Sequence, residues 1–209
     1  MCGIAAGSEL IKTFNLYSSN LHRGCFSTGV LLVDQDFKAW VLKQKGIASL
    51  LELQKFIESN NINVRYVLMH SRAPTNTAEH TFEDNNNHPF CSDELYVAHN
   101  GIITNFKSLN KDASLKVDSS IIPNLVRKEG IHKAFEQMQG LLTCWMYDER
   151  EKEIYFVKAG STLFYSEDGY FSSSRFENSN EVIDGSVYKL QDGSYSLVDK
   201  FEYCNPYYV

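Results

Sequence analysis

From residue 141 onward the chain is cut into short apolar segments, at 141–147, 154–157, 163–165, 170–173, 187–190 and 195–198, with Asp, Glu and Gly between them. Segments of this length joined by turn residues read as an antiparallel meander of strands. The part before Gly140 has a different texture. Leu10, Phe14, Tyr17 and Leu21 form a helical stripe over 9–21, with Ser8 placed to cap it. Residues 30–33 and 39–42 read as strands separated by the turn-forming Asp34-Gln35-Asp36, and 47–57 as a second helix. Asp118 heads a third helix over 118–128, which 131–139 extends or follows. Helices and strands followed by a meander bury their apolar faces when helices pack over stacked sheets, an α+β architecture. At 209 residues there is enough chain for one sizeable domain. No composition break looks like a linker, so 1–209 is expected as a single unit, with 176–209 as C-terminal strands and tail.

A net charge of −6 argues against a broad nucleic-acid-binding face. No apolar run reaches membrane-spanning length, and the N-terminus lacks the basic and apolar regions of a signal peptide. The expectation is a cytoplasmic protein without membrane contact. Its five cysteines, Cys2, Cys25, Cys91, Cys144 and Cys204, are odd in number and irregularly spaced, so they are expected as free thiols. No paired-ligand motif completes a metal site, and no cofactor is expected.

Two apolar strand-length runs deliver polar clusters. Residues 66–69 lead into His70-Ser71-Arg72-Ala73-Pro74-Thr75, and 95–98 into His99-Asn100-Gly101-Ile102. At the other end stands Cys2. Removal of Met1 would leave one residue carrying both a thiol and an α-amine, with ordinary pKa values of about 8.5 and about 7.7–8.0. An amine of that basicity can activate its own side chain without a histidine. Taken singly, each feature has a plainer explanation. Cys2 could be a small buried hydrophobe, Arg23 and Arg72 surface ion pairs, Asn100-Gly101 a turn, and Asp118 a helix cap.

Taken in order, Cys2-Gly3-Ile4, Arg23-Gly24, His70-Ser71-Arg72-Ala73-Pro74-Thr75, His99-Asn100-Gly101-Ile102-Ile103-Thr104-Asn105 and Val117-Asp118-Ser119-Ser120 resemble the class II glutamine amidotransferase domain, of the N-terminal nucleophile (Ntn) hydrolases. The resemblance spans roughly residues 2–175 and extends to Lys158-Ala159-Gly160-Ser161-Thr162-Leu163 and Phe171-Ser172-Ser173-Ser174. It implies a four-layer α/β/β/α sandwich with two stacked antiparallel sheets. It also implies an activity, hydrolysis of the side-chain amide of L-glutamine to glutamate and ammonia through a thioester on Cys2. In that scheme the catalytic residues are Cys2, with the Asn100 side chain and the Gly101 backbone N–H holding the oxyanion. Arg72 takes the substrate α-carboxylate, Asp118 the α-ammonium, Thr75 adds a hydroxyl contact, and Arg23 orients Cys2. His70, His88 and His99 are structural.

Ala73, Asn76 and Cys25 depart from the family pattern, in which tryptophan, histidine and an aromatic residue are usual. Family members usually fuse this domain to one that consumes the ammonia, so the resemblance implies either a separate synthase subunit that receives it or a free-standing amidohydrolase, and the aromatic tail 201–209 is a candidate docking surface or a tail packed on its own core. Two alternatives stay open: an Ntn hydrolase of another small amide, such as a γ-glutamyl compound, and a catalytically silent binding module.

Overall fold

The computed structural model describes residues 1–74, 82–112, 115–191 and 193–205. In chain order the strands are β1 (Gly3–Gly7), β2 (Ser27–Asp34), β3 (Ala39–Lys45), β4 (Val64–Arg72), β5 (Phe90–Ser92), β6 (Leu95–Ile103), β7 (Gly140–Asp148), β8 (Glu153–Lys158), β9 (Phe164–Tyr165), β10 (Phe171–Ser172), β11 (Asn180–Glu181), β12 (Ser186–Gln191) and β13 (Ser194–Lys200). The helices are α1 (Leu10–Ser19), α2 (Leu50–Ser59), α3 (Phe106–Leu109), α4 (Ile122–Glu129) and α5 (Ile131–Gln137). One sheet has the order β11-β9-β10-β1-β4-β2-β3, the other β13-β12-β8-β7-β6-β5, and every strand pairing within them is antiparallel.

Three cores follow from the alternation of side chains along the strands. Ile4, Ala6, Leu31, Val33 and Leu68 of the first sheet meet Ala98, Trp145, Tyr147 and Phe156 of the second between the sheets. Ala5, Val30, Leu32, Val67 and Met69 point the other way, to Leu16 and Tyr17 of α1 and Leu53 of α2. On the far side, Val97, Leu142, Cys144 and Met146 pack beneath Ile122, Val126, Ala134 and Phe135 of α4 and α5. The architecture is therefore a four-layer α/β/β/α sandwich, and it explains why Val30-Leu31-Leu32-Val33 is apolar without alternation: both faces of β2 are covered. At the N-terminus of α2, Ser49 Oγ accepts from Glu52 N at 3.2 Å and the Glu52 carboxylate accepts from Ser49 N at 2.7 Å, a reciprocal cap.

Several expectations change in the structure. Ser8 does not cap α1: the cap position is Glu9, which makes no side-chain bond, and Ser8 Oγ faces the Tyr170 hydroxyl at 3.4 Å. Asp118 opens a 3-10 turn, Asp118–Ile121, rather than capping a helix, and α4 begins only at Ile122. Asn100-Gly101 is no turn; it lies inside β6, paired with Thr143 and Leu142 of β7. The run after Gly140 is not one meander, because β9, β10 and β11 cross to the first sheet while β7, β8, β12 and β13 stay in the second. The described part of the tail packs on its own core. Phe201 stacks near Phe135 at 5.5 Å and Cys204 bridges Gln139; residues 206–209 lie outside the described residues. Among the described residues no helix is long and apolar enough to cross a membrane, and no group of three or more His, Cys, Asp or Glu side chains could hold a metal ion.

Candidate active site

The register of β1 against β4 decides where Cys2 sits. Gly3 pairs with Ser71 and Ile4 with His70, so Cys2, one residue before β1, lies beside the Arg72-Ala73 end of β4. Its Sγ accepts from the Ala73 backbone N–H at 3.4 Å and lies 3.7 Å from the Ala73 carbonyl. Arg23 Nε donates to the Cys2 carbonyl at 2.9 Å, which fixes the loop after α1 onto the Cys2 backbone. Two glycines make this close approach possible. A Cβ on Gly3 would lie 2.6 Å from Asn20 Cβ, and one on Gly24 would lie 2.6 Å from Ala73 N. Met1 projects outward, 66% exposed, whereas Cys2 is buried.

Burial pushes the Cys2 thiol above its ordinary range, the Asp118 carboxylate adds to the rise, and the Ala73 N–H, the N-terminal charge and Arg72 oppose it. Burial also pulls the Arg23 guanidinium below the usual arginine range, with Cys2 acting against that. One of its terminal nitrogens, Nη2, is buried with no hydrogen-bond partner among the described residues.

Asn100 and Gly101 come from the other sheet. Asn100 is fully buried; its Nδ2 donates to Ser173 Oγ at 3.3 Å and its Oδ1 has no partner among the described residues. A Cβ on Gly101 would lie 1.8 Å from the Leu141 carbonyl oxygen, so strand packing alone requires glycine here. Asp118 reaches the same end of β6: Oδ2 accepts from Ile103 N and Oδ1 from Ser119 N, both at 2.7 Å. Arg72 is buried rather than surface-paired. Its Nη1 donates to Asn87 Oδ1 at 2.8 Å and its guanidinium lies over the Phe26 ring at 5.5 Å. Thr75 and Asn76 lie outside the described residues.

Sequence reasoning missed Asn87 and Ser173. Asn87 ends an asparagine run that reads as loop, yet it is fully buried, binds Arg72, and accepts from Ser27 Oγ at 2.6 Å. The signal was its position next to His88-Pro89. The histidines are packed as neutral rings. His99 Nε2 donates to the Leu141 carbonyl at 2.8 Å, which leaves Nδ1 to accept from Ser119 Oγ at 2.8 Å. His70 Nε2 donates to the His99 carbonyl at 3.2 Å, and burial lowers its pKa to about 3. The His88 ring lies 4.0 Å from that of His70, and neither of its nitrogens has a partner among the described residues.

A family model for a glutamine amidotransferase domain matches residues 76–177, a span that holds Asn100, Gly101 and Asp118 but begins after Cys2, Arg23 and Arg72. The 7-cyano-7-deazaguanine synthase 2 of Sulfurisphaera tokodaii is 25% identical over 194 residues, covering 81% of this chain and 42% of its own length. The glutamine–fructose-6-phosphate aminotransferase of Bacteroides thetaiotaomicron is 25% identical over 224 residues, covering 96% and 36%. The chain therefore spans less than half the length of these curated relatives. Among solved structures, the glutamine phosphoribosylpyrophosphate amidotransferase of B. subtilis, complexed with ADP and GMP, matches with a TM-score of 0.71 at 16% identity, over 95% of this chain and 49% of that one. A glutamine aminotransferase class-II domain protein from Silicibacter pomeroyi matches with a TM-score of 0.59 at 13% identity, over 97% and 100%. At these identities the structural matches show a shared fold.

Proposed function

We propose that this chain, which a glutamine amidotransferase domain model matches over residues 76–177, hydrolyses the side-chain amide of L-glutamine through a thioester on Cys2 and passes the ammonia to a synthase partner. One observation carries the reading: the register of β1 against β4 sets the buried Cys2, its Sγ 3.4 Å from the Ala73 N–H, beside the Arg72 end of β4. An arginine at that strand end suits the carboxylate of a free amino acid, which matches its planar fork.

In this reading Met1 is removed, because a peptide nitrogen on Cys2 is no base whereas an α-amine is. The amine, through a water, takes the thiol proton as sulfur attacks the amide carbon. Negative charge gathers on the amide oxygen, held by the Asn100 amide and the Gly101 N–H, and the proton passes to the departing ammonia. Water then cleaves the thioester to glutamate. Losing one oxyanion donor typically costs about 2.7–4 kcal/mol of transition-state stabilisation. Arg23 keeps the Cys2 carbonyl in place, and Thr75 adds a hydroxyl to the substrate. The curated relatives are named as a synthase and an aminotransferase and are more than twice as long as the part they share with this chain, which supports a partner as the ammonia acceptor.

The test is intact mass spectrometry of the purified protein, with and without a glutamine-like diazoketone. The expected result is a chain lacking Met1 that gains one label on Cys2, with free glutamine blocking the label. Retained Met1, or a processed Cys2 that ignores the reagent, would leave another amide substrate or a silent binding module.

A further inference from the structure

We propose that Ser173, which has no part in the scheme above, is a positioning residue that sets the plane of the Asn100 amide relative to the nucleophile's strand; the inference rests on the roles given to Cys2 and Asn100 under the proposed function. Ser173 is buried and immediately follows β10. Its Oγ accepts from Ile4 N at 3.0 Å and from Asn100 Nδ2 at 3.3 Å. Its backbone N–H donates to the Ile4 carbonyl at 2.9 Å, and its carbonyl accepts from Thr162 Oγ1 at 2.8 Å. Ile4 is two residues from Cys2 in β1, and Asn100 belongs to the opposite sheet. One hydroxyl oxygen therefore ties the strand of the nucleophile to the residue assigned to the oxyanion.

The chemistry of the asparagine side chain makes this tie matter. The terminal torsion of asparagine is broad and has no sharp staggered wells. An unrestrained amide would spread its N–H direction over many tens of degrees, whereas a preorganised donor must already point at the developing charge. With one N–H committed to Ser173, the amide plane is set and the second N–H has a defined direction. The mount itself is braced. Asn20 Nδ2 donates to Ser172 Oγ at 2.9 Å, Ser174 Oγ donates to Asn20 Oδ1 at 2.8 Å, and Ser174 N donates to Ser172 Oγ at 3.2 Å. Asn20 sits at the end of α1, so the serine run is anchored to the helical layer as well as to both sheets.

The test compares Ser173→Ala with wild type for glutamine hydrolysis and for binding of the aldehyde analogue of glutamine. Cys2 sulfur adds to that aldehyde, the carbonyl π electrons move to oxygen, and the oxygen occupies the oxyanion position before taking the thiol proton. Ser173→Ala is expected to lower kcat and aldehyde affinity by roughly tenfold, a fraction of the 10²–10³-fold seen when such a donor is deleted. KM and the affinity for glutamate are expected to change by less than about twofold. In an Asn100→Ala background the same change is expected to have no further effect on kcat, because the role runs through Asn100. Ser173→Cys, close in size with a weakly accepting sulfur, gives the same reading if the alanine variant does not fold. Unchanged kcat and aldehyde affinity, or a full further loss in the Asn100→Ala background, overturns the inference alone. A wild-type protein that neither hydrolyses glutamine nor binds the aldehyde overturns the proposed function along with it.

Discussion

At the scale of single residues, two positions in the site have a structural reason that stands apart from catalysis. Gly101 is one: its missing side chain lets the Leu141 carbonyl of β7 approach, and a methyl group there would meet backbone. Backbone on a central strand pair cannot yield, so Gly101→Ala is expected to disrupt β6–β7 pairing. Far-UV circular dichroism and thermal melting check this, and a variant that melts with wild type would show that the strands separate at little cost. Cys2 is the other. Burial raises its thiol pKa, whereas Cys25, next to Gly24 in the adjoining loop, is exposed. Alkylation requires thiolate and access. At pH 8, iodoacetamide is expected to modify Cys25 at least tenfold faster than Cys2, read by peptide mass mapping over time. Equal rates would mean that Cys2 is open to solvent.

At the scale of elements, Arg127 of α4 closes the second sheet's outer layer. Its guanidinium holds Asp148 at the end of β7 through two bonds, of 2.5 Å and 2.9 Å, and Nε donates to the Asp93 carbonyl at 2.9 Å. The pair is mostly shielded from solvent, so Arg127→Ala is expected to cost about 2 kcal/mol, and Arg127→Lys little less, since lysine cannot span both oxygens. Urea unfolding measures both; a loss below about 0.5 kcal/mol would class the pair with ordinary surface bridges. Which elements could be read from sequence follows a physical division. Helices α1 and α2 and strands β2, β4, β7, β8 and β12 announce themselves because their apolar faces are long and local. Asn100-Gly101 misleads because turn propensity is local, while the nine-residue pairing of β6 with β7 is not. Asp118 misleads similarly: its carboxylate is drawn to the N–H of Ile103, fifteen residues back in the chain, rather than to a helix end. The two-residue strands β9, β10 and β11 carry too few side chains to declare which sheet they join. In the candidate site, the ordered motifs single out Cys2, Asn100 and Asp118 because each follows or heads a strand-like or turn-like run in the sequence. The Arg72–Asn87 and Asn100–Ser173 bonds form only when distant segments meet, so no spacing encodes them.

At the scale of the whole molecule, three buried histidines cluster at the site end of β4 and β6 and just before β5, and burial holds each below its ordinary pKa. A histidine kept neutral in the folded state while its unfolded counterpart titrates near pH 6.5 makes the unfolded chain bind more protons below that pH. Stability contributed by such a group is therefore present above about pH 6.5 and is lost as pH falls toward the folded-state value, about 3 for His70. The slope is about 1.4 kcal/mol per pH unit for each histidine once the unfolded group is protonated. Moving from pH 7 to pH 5 thus costs about 2 kcal/mol for His70, with His88 acting in the same direction, against a typical total stability of about 5–15 kcal/mol. Urea unfolding at the two pH values should show a loss of at least about 2 kcal/mol, the His70 share. The contribution of His88 can be separated because neither ring nitrogen has a partner among the described residues, while the ring packs against His70 and lies 4.7 Å from Phe90. His88→Phe keeps an aromatic ring in an aromatic setting and removes the titrating group. It is expected to match or exceed wild-type stability at pH 7 and to lose less stability than wild type between pH 7 and pH 5. Equal acid sensitivity in the two proteins would mean that His88 acquires its proton without unfolding, and the site end of the sandwich would then have to open to water in the native state.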